Sequence, residues 1–225
     1  LPSLTIENYV KTIYQIGARQ NERPAATGQI AESMGVAPGT VTSMLKTLAE
    51  AGLASYTPYE GVSLTESGKA LALRVLRRHR LLELFLARTL DLSWDEVHEE
   101  AEHMEHAVSD RLVDRIDAFL SYPEADPHGD PIPKADGTMI KTRGKRLSEW
   151  EIGQAFRLVR VFDQSPDFLR YLSESGLSLG AEGQLIANRV ESGVVTVRAS
   201  GSDIAMARDA AEKLLVERTD GEESR

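Results

Sequence analysis

Residues 27–64 read T-G-Q-I-A-E-S-M-G-V-A-P-G-T-V-T-S-M-L-K-T-L-A-E-A-G-L-A-S-Y-T-P-Y-E-G-V-S-L. Thr27 opens a helix over 29–34 that Gly35 ends. A second helix runs from about Pro38, with proline in its first turn, through Glu50 to a stop at Gly52. L-A-S-Y-T, P-Y-E-G and V-S-L then read as strand, turn and strand, because Pro58 and Gly61 punctuate a polar–apolar alternation. Upstream, residues 4–16 place apolar side chains at 6, 9, 10, 13 and 16, the period of a helix that Ser3 or Thr5 can cap. Three helices followed by a hairpin make a winged helix-turn-helix over residues 1–73.

The second helix of that pair carries the DNA-binding expectation. In P-G-T-V-T-S-M-L-K, Val41, Leu45 and Leu48 face inward, which leaves Pro38, Gly39, Thr40, Thr42, Ser43 and Lys46 outward, with Thr27 at the start of the preceding helix. Small side chains let a helix sink into the major groove, where hydroxyls reach base edges, thymine methyls or phosphates. A three-helix protein-interaction domain with a hairpin is the competing reading. The net charge of −9 does not decide between them: residues 1–73 hold five Lys/Arg against six Asp/Glu, whereas 95–105 hold six acids and no Lys or Arg. A near-neutral helix-turn-helix gains affinity from a few placed cations, helix N-termini and a second copy of itself, so a homodimer on double-stranded operator DNA is expected.

From Thr65 a long helical period continues through Leu71, Val75, Leu81, Leu82, Phe85 and Leu86, and within it His79 and Glu83 stand four apart. A further helix is expected over 93–117, capped by S-W-D-E, and it contains H-E-E-A-E-H-M-E-H at 98–106. There His98, Glu102, Glu105 and His106 fall at i, i+4, i+7 and i+8, a one-sided set of imidazoles and carboxylates suited to a divalent cation. The zinc-protease pattern H-E-x-x-H is absent, as are a P-loop, G-x-S-x-G, a dinucleotide fingerprint and any cysteine nucleophile, so an enzyme is not expected. Without cysteine, metal ligands must be nitrogen or oxygen. Y-P-E-A-D-P-H-G-D-P-I-P at 122–133 breaks structure, and a helical second domain is expected over 74–140.

After the basic connector K-T-R-G-K-R, the stretches V-R-V-F-D, G-Q-L-I-A-N-R-V, G-V-V-T-V-R and K-L-L-V-E-R read as short strands, with a helix ending at Gly176, giving a small β-rich unit over 148–225. The fold class is therefore mainly α with small β parts, an α+β chain. No run of about 18 apolar residues exists, and the start L-P-S-L-T-I-E-N-Y lacks the regions of a signal peptide. A cytoplasmic protein with no membrane partner and no small-molecule substrate is expected.

The order of L-T-x-x-G-K-x-L, H-R-L-L-E, V-H-E-E-A-E-H-M-E-H and G-x-P-I-P resembles the diphtheria toxin repressor family of metal-dependent transcriptional regulators, over essentially the whole chain. The resemblance implies a helical domain that dimerises and holds two metal sites per subunit, and an SH3-like third domain. It implies an ancillary site of His79, Glu83 and His98 and an activating site of Glu102, Glu105 and His106, with Asn8 aligned to the first-helix ligand. Gln164 and Asp167 match the two ancillary ligands that the third domain lends in longer members; capping of the helix that follows is the alternative for both. The iron-type pattern has Met at the Asn8 position and Cys at Glu102. Oxygen in place of sulfur favours harder ions, so Mn²⁺ is the expected cofactor, with Fe²⁺ as the alternative. Manganese-type relatives have Asp where Asn8 stands and Glu where Lys11 stands, which speaks against a doubly bridged manganese pair. Two bare carboxylates at Glu102 and Glu105 are expected to repel one another until a metal joins them.

Overall fold

A computed structural model describes residues 3–140 and 142–219. Its chain divides into two compact units: one gathers the residues through His79 with Glu105–Val108 and Pro133–Thr138, the other Arg80–Met104, Ser109–Ile132 and the residues from Met139 onward. Among the described residues no helix is long and apolar enough to cross a membrane.

The first unit is built on α1 (Leu4–Arg19), α2 (Thr27–Met34), α3 (Pro38–Glu50), β1 (Ala54–Thr57) and β2 (Gly61–Leu64). Ser3 caps α1 through its side chain, Gly35 closes α2 at φ 64°, and Pro38 begins α3 where its missing N–H costs nothing. Apolar faces of the three helices meet in a core of Tyr9, Val10, Ile13, Ile30, Val41, Leu45 and Leu48, with Ala54 and Val62 from the hairpin. Ala25 bridges to Val62, so the hairpin is tied back to the loop ahead of α2. α3 leaves Pro38, Gly39, Thr40, Ser43 and Lys46 exposed and Thr42 half-buried; Thr27 is half-buried at the start of α2. The hydroxyls of Thr42 and Ser43 donate to the carbonyls of Pro38 and Gly39, which turns their oxygens and the Thr42 methyl into the groups left for a partner.

α4 (Glu66–Leu90) follows the wing as a single long helix. Its entry is fixed by Thr65, whose Oγ1 donates to Gly52 O at 2.7 Å and accepts from Gly68 N at 3.1 Å. Gly68 is required by close approach: a Cβ there would lie 1.9 Å from Leu53 O.

In the second unit the single helix expected over 93–117 is broken. α5 (Val97–Met104) ends before Glu105, and α6 (Asp110–Phe119) starts after Ser109. Ser109 accepts from Leu112 N and has the extended backbone of an N-cap (φ −77°, ψ 153°), a conformation incompatible with continuing the preceding helix. The loop 120–144 carries only the bridge Ala125–Pro131 among its described residues. The remainder forms a six-stranded antiparallel sheet in the order β3-β8-β4-β5-β6-β7 from β3 (Lys145–Arg146), β4 (Ala155–Val161), β5 (Glu182–Arg189), β6 (Val194–Ala199), β7 (Ser202–Ala207) and β8 (Leu214–Glu217). α7 (Pro166–Glu174) packs on its core of Phe156, Leu158, Leu169, Leu172, Val195 and Val197, and α8 (Arg208–Glu212) joins the last two strands. The basic connector was expected to lie outside the sheet; Lys145 and Arg146 instead pair with Val216 and Leu215. β7 and α8 carry no strong apolar alternation and are not legible from pattern, and β4 begins four residues before V-R-V-F-D.

Candidate metal centre

In the first unit, α1 aims Glu7 and Lys11 toward Glu105 and His106, which sit in the turn beyond α5 rather than on a helix face. Lys11 Nζ donates to Glu105 Oε1 at 2.7 Å, and His79 Nδ1, from α4, donates to Glu105 Oε2 at 2.7 Å. His106 Nδ1 donates to Glu7 Oε2 at 2.7 Å, and Arg78 lies 3.5 Å from Glu7 Oε1. Glu7, Lys11, Arg78, His79 and Glu105 are all buried. Burial alone would push the Glu105 carboxyl up, but the His79 hydrogen bond and the Lys11 charge outweigh it and hold it below its ordinary value. The expected repulsion between Glu102 and Glu105 is therefore corrected at Glu105, whose charge is already balanced by a cation.

Two buried polar atoms of the first unit form no hydrogen bond. Asn8 Oδ1 and His106 Nε2 are buried and accept no hydrogen bond, and His106 Nε2 lies 3.1 Å from Glu105 Oε1. Nδ1 is taken up by Glu7, which leaves Nε2 as the ring nitrogen that faces Glu105 Oε1. A carboxylate fixing the tautomer of a metal-ligating histidine in this way is the usual arrangement. The His106 imidazole and the Glu105 carboxylate, 3.1 Å apart, form a nitrogen–oxygen pair of the kind a divalent cation takes. Glu7 was not singled out from the sequence; its only signal there is its place next to Asn8.

The second unit holds another convergence. Glu83, on α4, is buried; its Oε1 accepts from His98 Nδ1 at 3.1 Å and its Oε2 lies 3.9 Å from His128 Nδ1. Glu83, Asp126 and His128 each offer an atom within 4.8 Å of the others. His128 is stacked against Trp94 and its Nε2 donates to the Trp94 carbonyl at 2.7 Å, so the other nitrogen, Nδ1, faces two carboxylates with no hydrogen-bond partner. Burial disfavours a charged ring, yet the Asp126 and Glu83 carboxylates raise the His128 pKa to about 9; Asp126 itself is pushed up to about 6, chiefly by burial. A nitrogen that takes a proton so readily between two carboxylates is also placed to take a cation instead. The loop is pinned by Gly129 (φ 84°), where a Cβ would meet Val159 O at 2.0 Å, and by Asp126 Oδ1, which accepts from the backbone of His128 and Asp130. The sequence reading took D-P-H-G-D only as a break; its alternating Asp, His and Asp were the signal available.

His98 lies 3.9 Å from Glu102 through its second nitrogen, both on half-exposed side chains of α5. Asp167 is 96% exposed on α7 and paired with Arg170, and it joins no convergent group of carboxylates and imidazoles among the described residues. Gln164 is half-buried just ahead of Ser165, the N-cap residue of α7. Besides His98, the groups that approach Glu83 are the Asp126 carboxylate and the His128 imidazole.

A winged helix-turn-helix followed by helices that gather buried histidines and carboxylates defines a metal-responsive DNA-binding regulator. Comparison with known proteins agrees. Residues 3–62 match the family model of the iron dependent repressor N-terminal DNA binding domain, 65–134 that of the iron dependent repressor metal binding and dimerisation domain, and 145–218 the FeoA domain. An uncharacterised helix-turn-helix-type transcriptional regulator of Methanocaldococcus jannaschii is 36% identical over 52% of this chain and 94% of its own length. The diphtheria toxin repressor of Corynebacterium efficiens is 29% identical over 96% of both chains. A solved structure described as a manganese-dependent transcriptional repressor in complex with manganese superposes with a TM-score of 0.85 at 38% identity, covering 95% of this chain and 100% of that one. The chain belongs to the diphtheria toxin repressor family of metal-dependent transcriptional repressors.

Proposed function

We propose that this protein is a manganese-activated repressor that binds a palindromic operator as a homodimer in the cytoplasm and turns down metal uptake. The observation that carries the reading is His106 Nε2, buried without a hydrogen bond 3.1 Å from Glu105 Oε1, in the same compact unit as the buried, unbonded Asn8 Oδ1. Asn8, Glu102, Glu105 and His106 are the activating ligands in this reading. Glu83 and His98, with His79 one turn earlier on α4, form the ancillary set, and Asp126 and His128 are added to it on the geometry around Glu83. The all-oxygen-and-nitrogen donor set supports manganese over softer ions, as does the likeness to a manganese-dependent repressor.

Glu105, His106 and Asn8 would hold a divalent cation, whose positive charge would draw these side chains together. The chain's own part is to convert that into geometry. Asn8 stands on α1, whose Tyr9, Val10 and Ile13 are core residues of the helix-turn-helix, so whatever fixes Asn8 against the 105–106 turn also fixes α1 and the α3 surface packed on the same core. In a two-fold dimer both α3 helices must enter major grooves one helical turn or a multiple apart, and raising the fraction of subunits with α1 held raises apparent affinity by that factor. Fluorescence anisotropy with operator-like palindromes, with Mn²⁺, with Fe²⁺ and with chelator, tests this. Tight binding in Mn²⁺ that is lost in chelator and in His106→Ala supports it. Equal binding in chelator overturns it, and tighter binding in Fe²⁺ than in Mn²⁺ overturns the choice of metal.

A further inference from the structure

We infer that Lys11 is a tethered competitor for the activating metal, a cation built into α1 that occupies Glu105 and sets the metal level at which the protein responds. The inference rests on Glu105 and His106 being ligands of that site.

Lys11 is 5% exposed and Glu105 is fully buried, and a buried ammonium is tolerated only where an anion compensates it. The compensation is direct: Nζ to Oε1 at 2.7 Å, between residues 94 positions apart in sequence. Both oxygens of Glu105 are engaged without any metal, Oε1 by Lys11 and Oε2 by His79. The neighbouring carboxylate, Glu7, accepts from His106 and faces Arg78. Two carboxylates thus stand against two permanent cations, and the metal-free cluster is assembled and balanced.

A divalent ion entering beside His106 Nε2 meets Oε1 already bonded to a positive charge. Lys11 and Asn8 are three residues apart on α1, so the ammonium projects from the same helix face as the amide ligand. Binding at Glu105 would then be an exchange, in which the Lys11 ammonium gives up Oε1 and swings away on its four-carbon stem, still protonated. Net affinity is the difference between two cation–carboxylate interactions. The tether makes the competitor's local concentration high and independent of the medium.

The test uses the full chain. Metal-free wild type, Lys11→Met, Lys11→Gln, Lys11→Arg and Glu105→Gln are compared by calorimetric Mn²⁺ titration and by thermal unfolding without metal. Removing the competing charge is expected to tighten the Glu105-dependent Mn²⁺ site by roughly tenfold or more, while lowering the metal-free unfolding temperature. Lys11→Gln keeps a hydrogen bond to Glu105 and serves if Lys11→Met does not fold; Lys11→Arg should stay near wild type in both readouts. Unchanged or weaker Mn²⁺ binding in Lys11→Gln, with a site that Glu105→Gln still abolishes, overturns the competitor role and leaves the site intact. Wild-type binding indifferent to Glu105→Gln overturns the site itself, and the competitor with it.

Discussion

Gly68 shows how far one residue reaches in this chain. It stands in L-T-E-S-G-K, and its missing Cβ is what allows the Leu53 carbonyl to approach α4; a methyl group added there would lie 1.9 Å from that backbone oxygen. Gly68→Ala is therefore expected to lose about 2–4 kcal/mol of stability, measured by denaturant unfolding, because backbone rather than a flexible side chain has to give way. Glu105→Gln belongs to the same scale. It leaves the buried Lys11 ammonium without its anion, and the metal-free protein should lose about 3–5 kcal/mol, the usual result of removing one partner of a buried pair. Glu105, His106 and Asn8 were legible from residue type and from a family resemblance. Glu7 and Lys11, which give His106 its tautomer and Glu105 its counter-charge, were not. Nothing local distinguishes a buried Glu or Lys from a solvated one.

At the level of elements, the break between α5 and α6 decides where two proposed ligands stand. Ser109 is its punctuation, and Ser109→Ala should cost about 1 kcal/mol by chemical denaturation, a typical loss for a capping serine. The periodicity of residues 93–117 reads as one helix because apolar residues keep their spacing across the gap; Ser109 followed by Asp110 was the contrary signal. In the sheet, Asp163 at the end of β4 accepts from Lys213 Nζ at 2.7 Å ahead of β8. Burial pushes its carboxyl up, but the hydrogen bonds from Lys213 and Ser165 outweigh that and leave it below its ordinary 3.8. A depressed folded-state value means the pair stabilises the fold above about pH 4 and loses that contribution as pH falls through the lower folded value. Asp163→Asn should then be less stable than wild type at pH 7, and the difference should close on acid titration, followed by thermal melts at stepped pH. The winged unit was read closely where glycine and proline punctuate it, at Gly35, Pro38 and Gly61, whereas α1, expected over 4–16, runs on to Arg19 and is capped by Gln20. β3 and β7 were missed because sheet pairing rather than local pattern makes them, and α8 because five residues are too short for a helical period to show.

For the whole molecule, the expected behaviour is a metal-gated affinity for DNA. Adding chelator to the Mn²⁺-loaded protein should weaken operator binding by at least about tenfold in an anisotropy assay, with secondary structure by circular dichroism little changed, because the caps and apolar core that form the helices of the winged unit do not depend on metal. The sequence by itself determined the winged helix-turn-helix, the long α4, the nitrogen–oxygen character of the donors and most of the candidate ligands. Those properties depend on spacing within a turn or two and on side-chain chemistry, which are local. The tertiary structure alone decided that Glu105 and His106 leave their helix, that residues 94 and 99 positions away supply their partners, and that Asp126 and His128 gather at Glu83. Such meetings depend on how buried faces pack and on which charge can compensate another out of water, and no spacing along the chain encodes them.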